Sequence, residues 1–360
     1  MLRSSRFLLS TLVAFGLSLA SEVGLRILTS SSSRWNVRIG ANKQFDPDIG
    51  FRHKPHYPIA PGIQTNERGF LAPLNLRKEL PDDRLRVIVL GDSNSVTPGV
   101  ENYPYQLERL LEEQLALDVE TVNAAVPGYS SLNARLLFEK ELSEFDAHHF
   151  VVYLGWNDLG QFGPEGLPYK RHDQGYEISA VQKALTEVYS VRLFFALGHF
   201  LRRLSPTTSQ PMSPEDEALY AAYRPVHFFE NMHAILHLAQ ERYPHVHVMN
   251  LATITSDDPT EDEMRRAHFP TGMDKNIKKL HVLVKTYSEA VDQVAREQGL
   301  EVIDLFSLFN NRDARRHFTD SCHMDRNGAA LIAKAVAQSI LAAEREAPSA
   351  IARRSEPDPE

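Results

Sequence analysis

Cysteine is almost missing from this 360-residue chain: the single thiol, Cys322, excludes an intramolecular disulfide framework and a cysteine-rich metal site. An excess of positive charge is missing too. Lys and Arg number 39 against 47 Asp and Glu, a formal net charge of -8 at pH 7, so nothing draws the whole chain to phosphate backbones and nucleic-acid binding is not expected. Glycine (18) and proline (21) are too few for a collagen or low-complexity chain. No unit of about 20 to 50 residues repeats, which argues against solenoids and propellers. What is present is ordinary globular composition, 42% hydrophobic and 24% charged, in a length that suits one large α/β domain with insertions or two domains.

The two ends differ from the body. Residues 1–30 read as a signal peptide or an N-terminal membrane anchor. Arg3 and Arg6 precede the apolar run Phe7 to Ala20, and Ser18-x-Ala20 is an acceptable cleavage pattern. Val23, Leu25, Ile27 and Leu28 continue the apolar character, so a retained anchor over 7 to 28 is the other outcome. Both place the body in an extracytoplasmic space. Residues 345–360, with Pro348, Pro357 and Pro359 and no apolar stripe, read as a solvated tail.

Between the ends, residues 31–83 form a loop-rich lead-in without a core of its own. Residues 84–344 then alternate. Arg86 to Leu90 predicts a strand buried on both faces, Pro104 to Leu117 a helix, Val119 to Val122 a strand, Leu132 to Leu142 a helix and His149 to Leu154 a strand. A helical insertion at about 159–240 comes next, with helices expected over about 179 to 204 and 214 to 242. The alternation resumes with Val246 to Leu251, a helix at about 275 to 298, a strand from Leu300 to Phe306 and a last helix from about Gly328 to Ala343. This order implies parallel strands with right-handed crossovers.

In open parallel sheets ligands bind at the carboxyl ends of the strands, which selects four loops without any motif. They carry Gly91-Asp92-Ser93-Asn94, the Pro127-Gly128-Tyr129 turn, Gly155-Trp156-Asn157-Asp158 and Asp320-Ser321-Cys322-His323. Ser93 in a tight strand exit can present a hydroxyl, which needs a base within reach. His323 can be that base, and Asp320 can hold its tautomer. Backbone N–H groups of Ser93 and Gly128 and the Asn157 amide can aim at a tetrahedral oxyanion.

This set resembles the SGNH hydrolases, also called the GDSL esterase/lipase family. The matching residues are Gly91-Asp92-Ser93 (without the Leu of the family name), Gly128, Gly155-Trp-Asn157-Asp158 and Asp320-x-x-His323. The match runs from about residue 84 to 343 and is poor over 159 to 240. Thr65 to Phe70 and Glu22 to Arg26 also look like exported, membrane-anchored bacterial members. The resemblance implies a flavodoxin-like three-layer α/β/α fold with a central parallel sheet and a periplasmic or inner-membrane location. It implies a triad of Ser93, His323 and Asp320, an oxyanion hole of Ser93, Gly128 and Asn157, and no cofactor or metal. The expected activity is hydrolysis of an O-acetyl or short-chain acyl ester, with an acylated glycan as one substrate class. An O-acyltransferase acting on an envelope polysaccharide with the same triad, or a non-catalytic envelope polysaccharide or partner binder, are the alternatives.

Other residues read more plainly. Asp92 braces its turn, Asp158 caps, and Cys322 packs. Asp304 and Asp325 are alternative acids, with the spacing of the resemblance favouring Asp320. His233 and His237 lack the Glu of a zinc-protease helix, and His245, His247, His148 and His149 read as polar packing. Val188 to Leu204 reads as a core-facing helix with basic edges, a lid or membrane-surface helix being the other reading.

Overall fold

The structure is a computed structural model that describes residues 42–60, 63–80, 83–97, 99–161, 206–270 and 273–347. The expected export or anchor segment, the helix over 179 to 204 and residues 348–360 of the tail lie outside the described residues. Among the described residues, no helix is long and apolar enough to cross a membrane.

Five strands form one parallel sheet in the order β6-β5-β7-β8-β9. They are β5 (Arg84–Gly91), β6 (Asp118–Asn123), β7 (His149–Tyr153), β8 (His245–Met249) and β9 (Val302–Ile303). The first of these in the chain sits inside the sheet, so strand order reverses between β5 and β7. This is the flavodoxin-like order, with its crevice at that reversal.

Alternation of side chains along the strands explains why these runs are apolar throughout. Ile88, Leu90, Phe150 and Val152 point into one core layer, and Val87, Val89, Val151 and Tyr153 point into the other. The first layer is completed by helices α2 (Ser131–Lys140), α4 (Val226–Arg242) and α6 (Ile277–Glu297), the second by α1 (Tyr103–Leu115) and the last helix, α9 (Arg326–Glu346). At the starts of α1 and α9 the side chains of Asn102 and Asp325 accept the free N–H groups of the first turn.

Two expectations need correction. The single helix over 214 to 242 is two, α3 (Pro214–Ala222) and α4, because Pro225 has no N–H to give and disfavours helical geometry in the residue before it. The strand expected from Leu300 to Phe306 is only Val302–Ile303. Asp304 ends it by accepting the Ser307 N–H at 3.0 Å, which starts the short helix α7 (Leu305–Leu308).

The described part of the lead-in holds two small hairpins, β1 (Lys43–Asp46) with β2 (Gly50–His53) and β3 (Pro58–Ala60) with β4 (Ile63–Gln64). Its apolar residues Ile49, Phe70 and Leu76 are buried in the first core layer. Leu71 bridges the edge strand at Asn123.

Candidate active site

The site grows out of the carboxyl ends of β5, β6 and β7. Gly91 closes β5 where space is shortest: a Cβ there would collide with the Ser95 hydroxyl and approach the Tyr153 carbonyl to 3.1 Å. Asp92 then caps a single 3-10 turn, Ser93–Ser95, accepting the Asn94 N–H at 2.9 Å. The turn leaves Ser93 half-buried at the rim.

His323 and Asp320 come from one loop just before α9. That loop is pinned by an antiparallel bridge between Phe318 and Met324 and by the Thr319 N–H on the His323 carbonyl at 2.8 Å. His323 Nε2 lies 2.8 Å from Ser93 Oγ, and its Nδ1 lies 2.7 Å from Asp320 Oδ2. Asp320 Oδ1 meanwhile accepts the N–H groups of Cys322 and His323 at 3.0 and 2.9 Å.

The protonation states are set by these contacts. Burial would raise the Asp320 carboxyl, but the His323 hydrogen bond and charge and the two N–H groups outweigh it and hold it at about 2. An ionised carboxylate only accepts, so the proton on Nδ1 faces Asp320 and the Nε2 lone pair faces the Ser93 hydroxyl. Burial opposes a charge on His323, yet the Asp320 hydrogen bond and the negative charges of Asp320 and Asp92 raise its pKa above the ordinary imidazole value. The imidazole is therefore both oriented and made more basic.

The second loop carries Gly128 at φ +91°, in the left-handed region that favours glycine. It is tied to β5 by the Val126 N–H on the Gly91 carbonyl at 3.3 Å and turned by the Tyr129 N–H on the Val126 carbonyl at 3.0 Å. Among the described residues, no backbone carbonyl accepts from the N–H of Ser93 or Gly128. The third loop supplies Asn157, whose Nδ2 donates to the Tyr129 carbonyl at 2.9 Å and lies 3.3 Å from Asp92 Oδ2. Ser93, Gly128, Asn157, Asp320 and His323 thus stand on three strand-end loops and one helix-entry loop that are joined laterally by hydrogen bonds.

The neighbours have other partners. Asp158 is buried and accepts the Ser131 N–H and hydroxyl at 2.9 and 2.6 Å, fastening the third loop to the start of α2. Asp325 caps α9 through the N–H groups of Asn327 and Gly328, both at 2.9 Å, and Asp304 holds Asn250 at 2.9 Å. Neither hydrogen-bonds to His323. Cys322 is buried, its thiol pushed well up by burial, with Sγ 3.7 Å from His323 Nδ1.

His148, His149, His245 and His247 lie at or just before the starts of β7 and β8, and His233 and His237 lie on α4, away from these loops. His149 is held between His247 Nε2 at 3.0 Å and Glu344 Oε1 at 2.9 Å, and His148 Nδ1 accepts the Arg86 N–H at 3.0 Å. His233 and His237 are exposed. Among the described residues, the one group of His, Cys, Asp and Glu atoms close enough to hold a metal ion is Asp320, Cys322 and His323 themselves, where the Asp320–His323 hydrogen bond already occupies two of the donors.

One contribution has no local signal in the sequence. Lys43 of β1 donates to the Pro127 carbonyl and lies over the Phe51 ring at 4.7 Å, and the Tyr129 hydroxyl donates to the Phe51 carbonyl at 2.7 Å. The first hairpin therefore props the Gly128 turn from outside.

A hydroxyl 2.8 Å from an imidazole that is itself held by a carboxylate, at the switch point of a parallel α/β sheet, is an arrangement that can support acyl transfer. Residues 89–331 match the model of the GDSL-like lipase/acylhydrolase family, and the chain belongs to that family. A curated relative, the GDSL esterase/lipase CPRD49 of Arabidopsis thaliana, is 30% identical over 105 residues, 28% of this chain and 41% of the relative. The chain thus spans about two fifths of that relative's length. Among solved structures it is similar to an acetylxylan esterase from Geobacillus stearothermophilus (14% identity, 73% of this chain and 96% of that one, TM-score 0.42). It is also similar to a lipase/acylhydrolase from Enterococcus faecalis (12% identity, 71% and 95%, TM-score 0.42).

Proposed function

We propose that this chain is an esterase that hydrolyses a short acyl ester, an O-acetyl group foremost, through an acyl-enzyme on Ser93, on the extracytoplasmic side of a bacterial membrane. The observation that carries the reading is the unbroken chain from Asp320 Oδ2 through His323 to Ser93 Oγ, at 2.7 and 2.8 Å.

Ser93 Oγ attacks the ester carbonyl while His323 Nε2 takes its proton, and Asp320 stabilises the imidazolium that forms. The carbonyl oxygen becomes an oxyanion facing the N–H groups of Ser93 and Gly128. The Asn157 amide keeps its 2.9 Å bond to Tyr129 and turns its other N–H from the longer Asp92 contact to the oxyanion. Collapse expels the alkoxide, which takes the proton from His323. Water then repeats the sequence on the acyl-enzyme and releases the acid.

The extracytoplasmic location is supported by the basic start, apolar run and Ser18-x-Ala20 pattern in residues 1–30. Residues 84–344 are taken as the catalytic domain.

The test is turnover of p-nitrophenyl acetate, and of longer esters in series, by the wild type and by Ser93→Ala. The variant should lose about 10⁴-fold or more with its melting unchanged, and a variant that keeps most of its rate overturns the assignment. An organophosphonate should modify Ser93, and an inert serine would point to a binding protein. Product analysis with glycan acceptors present distinguishes transfer from hydrolysis.

A further inference from the structure

Asp92 precedes Ser93 and is 1% exposed. Its two carboxylate oxygens face different loops. Oδ1 accepts the Asn94 N–H at 2.9 Å within its own turn, whereas Oδ2 reaches across the strand reversal to Asn157 Nδ2 at 3.3 Å. Bracing the turn needs only the first contact.

The second contact bears on the reaction because the two ends of an amide side chain are nearly alike in shape. Which end faces a site is decided by its partners. Asn157 has two such partners, the Tyr129 carbonyl and Asp92 Oδ2, and a carbonyl and an ionised carboxylate can only accept. The carbonyl demands the NH₂ end at any pH, and the carboxylate, its pKa pushed up to about 7, demands it in its ionised form. A flipped amide would turn its own carbonyl oxygen toward the carboxylate, and toward any oxyanion beside Ser93.

We propose that Asp92 is a positioning residue for the ester reaction, its buried carboxylate selecting the NH₂ end of Asn157 in the resting site, from where one N–H passes to the oxyanion, and tying the first loop to the third. This rests on the reading of Ser93 as nucleophile and Asn157 as oxyanion donor.

The electrostatics give the role a second readout. The groups around Asp92 are His323 and Cys322 from the loop before α9, Asp158 from the third loop, Tyr103 from α1 and Tyr153 from β7. Of these only His323 can carry a positive charge. Burial pushes the Asp92 carboxyl up to about 7, against the Asn94 N–H and the His323 charge. In return the Asp92 charge adds to that of Asp320 in raising the His323 imidazole.

Asp92→Asn tests both effects. The new side chain keeps one acceptor, which the Asn94 N–H claims, and sets an NH₂ group against Asn157 Nδ2. With p-nitrophenyl acetate, kcat should fall about tenfold to a hundredfold while KM stays within about twofold. The acid limb of kcat/KM should move to lower pH, because His323 has lost a neighbouring anion. On the alkaline plateau of kcat, where the His323 shift no longer enters, Asp92→Asn combined with Asn157→Ala should be no slower than Asn157→Ala alone, since the first acts through the second. An acid limb that coincides with the wild type, or losses that add independently, overturns the proposal.

If Asp92→Asn does not fold, the intact chain decides. Followed by NMR in the Ser93→Ala background, the Asp92 carboxyl carbon should titrate in step with the His323 ring, and independent titrations overturn the proposal. The two levels separate cleanly. An active Ser93→Ala removes the triad reading and the Asp92 role together, whereas an inactive Ser93→Ala beside a wild-type Asp92→Asn removes only the latter.

Discussion

Asp320→Asn changes one atom of the site, and the contacts around that residue fix its consequence. Asp320 Oδ1 holds two backbone N–H groups, at 3.0 and 2.9 Å, while Oδ2 holds His323 Nδ1 at 2.7 Å. Asparagine has one oxygen for these three donors. Two N–H groups outbid one, so the oxygen stays at Oδ1 and the NH₂ group faces the imidazole. Nδ1 must then become the acceptor, which moves the ring proton to Nε2, against Ser93 Oγ at 2.8 Å. An imidazole in that tautomer cannot take the serine proton. The matching substitution in a serine-protease triad, where the tautomer is also inverted, lowers kcat by about 10⁴-fold, and a loss of about that size is expected here. Initial rates with p-nitrophenyl acetate measure it. KM and the melting temperature should stay close to wild type, because the two loop N–H bonds are kept. Asp325→Asn and Asp304→Asn, whose carboxylates serve helix starts, should lose less than about twofold. A loss under about tenfold in Asp320→Asn, or an equal loss in Asp325→Asn, would refute the assignment of the tautomer to Asp320.

Two further outcomes are expected. His323 works as a base only when neutral and its pKa is raised, so kcat/KM should fall on acidification with a midpoint above the 6.5 of a free imidazole; a midpoint below it would contradict the combined effect of Asp320 and Asp92. Arg86→Met, at the other end of β5, leaves Glu120 buried without its 2.5 Å partner and strips the carbonyls of Arg77, Glu79 and Asp146 of a donor. Stability should drop by about 3–5 kcal/mol in urea titration while the folded fraction keeps its kcat, and a drop under about 1 kcal/mol would show the pair is not needed.

The sheet was legible because its strands are buried on both faces. Val87 to Leu90 and Phe150 to Val152 are apolar without a break, and the turn residues just beyond them mark where each strand stops. The rule that ligands meet at strand ends then selected the four loops, and the loops do meet. What stayed hidden depends on contacts between distant residues. Nothing near Asp92 indicates that its second oxygen faces an amide on the far side of the strand reversal, and nothing near Lys43 indicates that a lead-in hairpin reaches the Pro127 carbonyl. Local competition explains the misread elements. Pro225 lies within an apolar pattern that continues across it, and Asp304 gives the chain a helix start in the middle of a largely apolar run that reads as a strand.

Ser93 and His323 are 230 residues apart in the chain, and His323 shares a single loop with Asp320, directly ahead of the last helix. A ribosome adding about 5–20 residues per second therefore exposes the serine tens of seconds before the imidazole exists. Throughout that interval the nascent polypeptide carries a mute hydroxyl. With the proposed triad, an unfinished or C-terminally clipped copy that lacks the loop before the closing helix should be chemically silent rather than partly active.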